Sequence, residues 1–369
     1  MKRSTLLAAV TMFGGIIGAG IFGVPFVFAR AGVSIGLVYV FFIGIAAVLV
    51  NVYNVVVCVE TPGRHRLAGY ARKLLGERAA MPVAVISFVE LFGALLVYII
   101  LGGNFLSVIF GGSEGLWSAV FLVAVSLALL LPLKKSERID HFLTCALIAV
   151  VAVIVILVWP RVTVANLSPV VWKNWFVPYG VIFFALGGSS VIPEMVEVLG
   201  RNKKSSIWAA AVGTLAAAAL IGIFGTVIAG VCGAQTTDNA IAGLAPYFGR
   251  PIVILGSLFG LAAVATQFIV VGSNIRDEFV YDFKKRRLIG WVIAIGVPAL
   301  AFALGARDFV GLIGFLGATL GAAVGVIIIF LGRKVMGKSQ KYKALRHLAL
   351  PLMILFVAGF LAEIVNLLK

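Results

Sequence analysis

Few of the 369 residues have side chains suited to chemistry. The three histidines, His65, His141 and His347, sit beside basic stretches. The three cysteines, Cys58, Cys145 and Cys232, lie inside apolar runs at spacings that fit neither a zinc site nor a redox pair. With no His at the depth of an apolar run to pair with a Ser or Cys, nucleophilic catalysis has no candidate. No phosphate-binding loop ending in Gly-Lys-Ser/Thr is present. Neither an enzyme nor an ATP-driven pump is expected, and no cofactor or metal is called for. What remains is a set of polar groups inside apolar sequence: Glu90, Glu194, Glu197, Tyr98 and Thr266. Carboxylates in such surroundings are costly and face a cavity or a partner. Glu194, directly after Pro193, is the first candidate to carry a proton, and Glu90 the second. Glu197 falls near a span end and reads as solvated.

Backbone can also do chemistry, and two stretches are built for it. Residues 13–25 read Phe13-Gly-Gly-Ile-Ile-Gly-Ala-Gly-Ile-Phe-Gly-Val-Pro25, and residues 185–193 read Ala185-Leu-Gly-Gly-Ser-Ser-Val-Ile-Pro193. Inside a helix Gly costs about 1 kcal/mol and Pro about 3 kcal/mol relative to Ala. Each stretch therefore predicts a helix broken in its middle. Backbone unwound at membrane depth is tolerated only where it lines a cavity. There it offers amides and a helix N-terminus to an anion, and carbonyls and a helix C-terminus to a cation. A carboxylate cradle falls on Ile17, Gly18, Ala19 and Gly20. Carbonyls for an amino group fall on Phe184 and Ala185. Ser189 and Ser190 either bond a ligand hydroxyl or cap the second half-helix.

The surrounding sequence must place these groups in a bilayer. Hydrophobic residues make up 62% of the chain, charged residues 12%, and mean hydropathy is +1.15. That excludes a cytosolic protein, a disordered chain and a secreted disulfide scaffold. Eleven apolar runs are long enough to cross a core of about 30 Å at about 1.5 Å per residue. They lie near 5–29, 34–59, 82–110, 116–133, 141–159, 176–199, 206–232, 251–275, 288–305, 309–332 and 347–368. The net charge of +16 comes from clusters between these runs, so it reports topology and not a nucleic-acid partner. Of the 30 Lys and Arg, 24 fall on one side of the alternating topology. That side is expected in the cytoplasm, with the N-terminus inside and the C-terminus outside. Continuous apolar character through Phe28 argues against a cleaved signal peptide. The loops at 61–81, 233–250 and 276–287 read as ordinary connections.

The two broken stretches share a register. Gly20 and Pro25 precede Gly188 and Pro193 by 168 positions, as Asp140 precedes Asp308. Leu91-Phe-Gly93 and Leu258-Phe-Gly260 repeat at a similar offset, as do the segments ending in Asn104 and Asn274. The chain therefore reads as one transmembrane domain: a first five-span unit over 1–160, a second over 176–333, and an additional helix over 345–369. Five is odd, so the second unit enters inverted. Inverted repeats with one interrupted helix each point to a secondary transporter with a midplane site. A sensor that kept such a fold without transport is the alternative.

At these residues the chain resembles the hydroxy and aromatic amino acid permeases, the tryptophan/tyrosine permease family of the amino acid–polyamine–organocation superfamily. The likeness rests on the 14–25 segment, Ser190-Val-Ile-Pro193, Leu199-Gly-Arg201, Gly102-Gly-Asn-Phe105 and Asp277-Glu-Phe279. It implies an all-α polytopic, leucine-transporter-like 5+5 fold with helices 1 and 6 broken. It also implies import of a neutral, aromatic or hydroxylated amino acid by alternating access, driven by a proton. The resemblance places Tyr98 on the pocket wall. Thr266 falls where such a fold can hold sodium between spans one and eight, which keeps sodium coupling as the alternative. Two departures stand out: Ser189 replaces a frequent His, and Thr266-Gln267 replaces Thr-Ser.

Overall fold

The computed structural model describes residues 3–130, 137–167, 169–337 and 339–368, and side chains are described outside 3, 137–145 and 147. Lys2, Lys134, Lys135, Lys338 and Lys369, with the side chains of Arg3, Arg138, Asp140, His141 and Cys145, lie outside the described residues.

Apolar composition and the cost of unpaired backbone in lipid leave helices as the solution. The first span is two helices, α1 (Arg3–Ile16) and α2 (Gly20–Ala31), bent by 59° at the intervening residues. Next come α3 (Val33–Glu60), the short α4 (Leu67–Leu75), α5 (Glu77–Phe110), α6 (Glu114–Leu130), α7 (Glu137–Val158) and the single turn α8 (Val164–Leu167). The sixth span is again divided: α9 (Val177–Ala185), a 3₁₀ turn at Ser189–Val191, and α10 (Ile192–Val198). Then α11 (Lys203–Cys232), the turn α12 (Ala245–Phe248), α13 (Arg250–Tyr281) and α14 (Arg287–Ala303) follow. The tenth span runs through α15 (Phe309–Phe315), a π-helical turn at Leu316–Gly321, and α16 (Ala322–Met336). The chain closes with α17 (Lys343–Leu367). The described residues of all eleven expected spans are helical, with the breaks in the first and sixth.

One expected loop is a helix. Residues 61–81 contain α4, whose Ala68, Gly69, Tyr70 and Ala71 are buried. It is clasped to the end of α13. The Asp282 carboxylate accepts from the Arg66 amide at 2.9 Å and lies 2.9 Å from His65 Nδ1. Arg72 donates to the Asp282 carbonyl at 2.5 Å, and Arg66 donates to the Asp277 carboxylate at 3.1 Å. Burial pushes the Tyr70 hydroxyl pKa well above its usual range, with the neighbouring Cys58 adding to the shift. This basic end of the bundle also holds Lys203, bonded to Glu60 at 2.9 Å, while Tyr342 donates to the same carboxylate at 2.6 Å.

At the opposite end, α2, α5, α11 and α13 meet in an aromatic plug. Phe22 packs edge-on against Phe105 and Phe224, with centroids at 5.0 and 6.3 Å, and tilted against Phe259 at 5.6 Å. All four rings are buried. The outer flanks expose Phe41, Phe42, Ile156 and Ile354, the surface expected against acyl chains.

Candidate functional site

The two breaks meet in the middle of the bundle. A Cβ on Gly20 would lie 2.4 Å from the Ala185 Cα, so only glycine lets the start of α2 lie against the end of α9. Below this contact, Asn54 on α3 donates to the Ser189 carbonyl at 2.9 Å. Gln267 on α13, buried, donates to the Gly14 carbonyl at 2.8 Å. Each break is thus tied to a continuous helix by an amide side chain.

The unwound residues leave backbone groups of both polarities. No side chain caps α2, and the amides of Gly18, Ala19 and Gly20 have no acceptor among the described residues. They mark the positive end of a helix dipole. At the end of α9 the Leu186 amide donates to Ile182 and the Gly187 amide to Phe184. The Ala185 carbonyl accepts from no backbone amide in that turn.

A cavity of about 110 Å³ fills the space between them. Gly18, Ala19, Gly20, Tyr98, Phe184, Ser189 and Ser190, all read from the sequence as binding residues, line it. Ile17 and Ala185 do not. Ala185 packs on Gly20, and Ile17 instead faces a separate, mostly apolar cavity of about 240 Å³ between α1, α7 and α13. Of the three coupling candidates, Glu90 lines the central cavity. Thr266 lines the apolar one, its hydroxyl donating to the Ala262 carbonyl of its own helix at 2.8 Å. Glu194 is partly buried at the start of α10 and lines none of these cavities. The lining also includes residues not singled out from the sequence: Asn51, which bonds Thr214 at 3.0 Å across α3 and α11, and Leu316, Gly317 and Gly321 of the π turn. A polar residue in an apolar run was the available signal for Asn51.

A smaller cavity of about 50 Å³ continues towards the basic end and shares Glu90, Leu91, Ser189, Ser190, Val324 and Ile328 with the first. Arg66, Tyr70, Asn274 and Glu278 are also on its wall. The aromatic plug closes the other side. The site is therefore one small central chamber, adjoined by a second cavity towards the basic end, holding opposed backbone dipoles and one carboxylate.

The fold has counterparts among solved structures. A manganese transporter from Eremococcus coleocola, solved with an aromatic bis-isothiourea compound, superposes with a TM-score of 0.65 at 13% identity. The match covers 100% of this chain and 90% of that one. MhsT in complex with L-phenylalanine gives 0.64 at 14% identity, covering 98% and 99%. Mhp1, a nucleobase-cation-symport-1 family transporter in a closed conformation with bromovinylhydantoin bound, gives 0.63 at 15%, covering 98% and 90%. With helices one and six broken, the chain is a multi-pass membrane protein of the leucine-transporter-like fold.

The sequence narrows that class. The chain matches the family described as transmembrane amino acid transporter protein over residues 1–367, and it belongs to that family. "Glutamine transporter 2" of Aliivibrio fischeri is 20% identical over 339 residues, covering 88% of this chain and 85% of the relative. A "Putative sodium-coupled neutral amino acid transporter 11" of Danio rerio is 26% identical over 178 residues. That match spans 46% of this chain and only 39% of the relative.

Proposed function

We propose that this protein imports a neutral amino acid, aromatic or hydroxylated, by alternating access coupled to a proton. The carrying observation is the central chamber, where free amides at the start of α2 and the C-terminal end of α9 face one another beside Glu90. A zwitterion needs donors for its carboxylate and acceptors for its ammonium a few ångströms apart. The amides of Gly18, Ala19 and Gly20 would take the carboxylate, and the carbonyls closing α9 the ammonium. Tyr98, Phe184, Ser189 and Ser190 would surround the side chain. No Lys, Arg or His is among the lining residues, which suits a side chain without charge. The names of both curated relatives fit a neutral amino acid. The resemblance to the tryptophan/tyrosine permeases supports the narrower aromatic or hydroxylated class.

Glu90 is the proposed proton carrier. Among the described residues no hydrogen bond or salt bridge holds its carboxylate. Protonation would remove a charge from a chamber that otherwise offers it only dipoles. Sodium is the second reading, favoured by the name of the Danio rerio relative. Against it, the Gln267 amide already occupies the Gly14 carbonyl, and Thr266 turns its hydroxyl to its own helix. A cation bridging α1 and α13 would need those oxygens. The 24-to-6 division of basic residues supports the basic end as cytoplasmic. The repeat register supports an inverted pair of five-span units over 1–160 and 176–333.

The test is uptake into proteoliposomes of labelled tyrosine, tryptophan, serine, alanine and glutamine, under a pH gradient and separately a sodium gradient. The expected result is accumulation driven by pH, lost in Glu90→Gln with exchange retained. Accumulation driven only by sodium refutes the coupling assignment. Saturable binding with no flux of any of the five would turn the reading to a sensor.

A further inference from the structure

The inner cavity holds two carboxylates that the transport chamber alone does not explain. Glu90, on α5, stands on the wall common to both cavities. Glu278, on α13, stands on the inner wall only, is 1% exposed, and its Oε1 has no hydrogen-bond partner. A buried carboxylate oxygen left without a donor loses solvation that nothing returns. Such an atom facing a cavity marks a place where a proton or a water is expected. Arg66 Nε, on the same wall, is also buried without a partner. The Arg66 guanidinium is instead engaged with Asp277 at 3.1 Å, so Glu278 is not held in an ion pair.

We propose that Glu278 is the second carboxylate of a proton path, receiving through the inner cavity the proton that Glu90 releases and passing it to the basic end. The inference rests on the proton-coupled reading of Glu90. The path has physical continuity. Glu90, Ser189 and Ser190 belong to both cavities, and about 50 Å³ has room for a few waters beside the polar groups of its wall. The rest of the wall is mixed: Asn54, Ser87 and Asn274 are polar, the last donating to the Ser190 carbonyl at 3.5 Å, while Leu67, Leu91, Pro193, Val324 and Ile328 are apolar. In the transfer, the Glu90 O–H bond breaks and an O–H bond forms on Glu278, with water carrying the proton between them. Glu90 is left as a carboxylate, ready for the next cycle.

The charged groups around Glu278 define its exit. Arg66 comes from just before α4, Tyr70 from α4, Glu90 from α5, Arg276 and Asp277 from α13, and Asp282 from just after it. His65, before α4, pairs with Asp282 at 2.9 Å and is 18% exposed at its side chain. Asp282 and His65 thus stand between Glu278 and solvent. The clasp that docks α4 is also the outer end of the path, so docking and proton release are joined at one set of residues.

The test uses the full chain. Purified protein in lipid nanodiscs is treated with dicyclohexylcarbodiimide, which adds to protonated carboxyl groups in apolar surroundings, and the adducts are mapped by mass spectrometry. Labelling of Glu278 that fades as pH rises is the expected result. A Glu278 unlabelled at every pH overturns the proposal. In proteoliposomes, pH-driven accumulation of labelled serine, glutamine and tyrosine is compared with self-exchange. In Glu278→Gln accumulation should fall on the order of tenfold while exchange stays within about twofold, and Glu278→Asp should recover part of the loss. Accumulation unchanged in Glu278→Gln overturns the path and leaves the Glu90 reading intact. Exchange lost as well, without recovery in Glu278→Asp, makes the residue structural and also overturns it. A parent protein with no pH-driven accumulation refutes the coupling reading and the path together.

Discussion

The contact between the two breaks can be tested by adding one methyl group. In Gly20→Ala the new Cβ would lie 2.4 Å from the Ala185 Cα and 2.7 Å from its Cβ. Ordinary carbon contacts are about 3.5–4.0 Å, so the breaks must separate by about 1 Å or more. Both obstructing atoms belong to the short end of α9, which cannot swing aside as a long side chain would. Overpacking of this kind costs about 1–3 kcal/mol, which weakens a binding constant by about 5- to 160-fold. Gly18→Ala is the matched control. Its Cβ would meet only the Gln267 side chain, with Cγ at 3.0 Å and Cδ at 3.6 Å. A few tenths of an ångström of side-chain adjustment accommodate it, and its expected loss is below about fivefold. Both variants keep the amide N–H, so donor loss cannot explain a difference between them. The assay is equilibrium binding of a labelled amino acid to purified protein, with size-exclusion chromatography to confirm folding. Binding by Gly20→Ala within about twofold of the parent, or a larger loss in Gly18→Ala, refutes the stated packing of the breaks.

Other perturbations address the ties that hold the site. Gln267→Leu removes the donor to the Gly14 carbonyl and leaves that oxygen inside the bundle. Stability measured by thermal unfolding should fall by an amount equivalent to about 1–3 kcal/mol, and unchanged stability would show that the bond contributes nothing net. Asp282→Asn weakens both the His65 contact and the acceptor for the Arg66 amide. Hydrogen exchange over 67–75 should rise while α5 and α11 stay protected, and uniform protection would mean that α4 is held by its apolar face alone.

The legible parts of the fold were those decided by local backbone cost. Gly18, Gly20 and Pro25, and Gly187, Gly188 and Pro193, disfavour continuous helix whatever surrounds them, so both breaks could be placed before any packing was known. Long apolar runs gave the eleven spans for a similar reason. Helix rotation is a different matter, because it is set by neighbours. Thr266 and Gln267 are adjacent in sequence but point about 100° apart on a helix. One faces the apolar cavity and the other grips Gly14. Glu90 and Glu194 look alike as acids in apolar sequence, and only the packing of α5 puts Glu90 on the chamber wall. Helix α4 escaped notice because nine residues with one buried face resemble a connection. The π turn at Leu316–Gly321 has no comparable signature, since its extra residue is absorbed without a proline.

The aromatic plug has a bearing on affinity. Opening the chamber on that side must wet some of Phe22, Phe105, Phe224 and Phe259. Each ring returned to water forfeits about 1.5–3 kcal/mol. Wetting two would hold the form open on that side to about one molecule in 10² to one in 10⁴. An amino acid arriving there meets a site competent only in that fraction, so its apparent dissociation constant is raised by the same factor. The basic end has no such plug; there the α4 clasp, with Asp282 and His65, stands between the inner cavity and solvent. Affinity on the plugged face is therefore weak unless something binds the rarer form better. Under the proposed coupling, binding from that face depends on the gradient that repopulates the form opened at the plug.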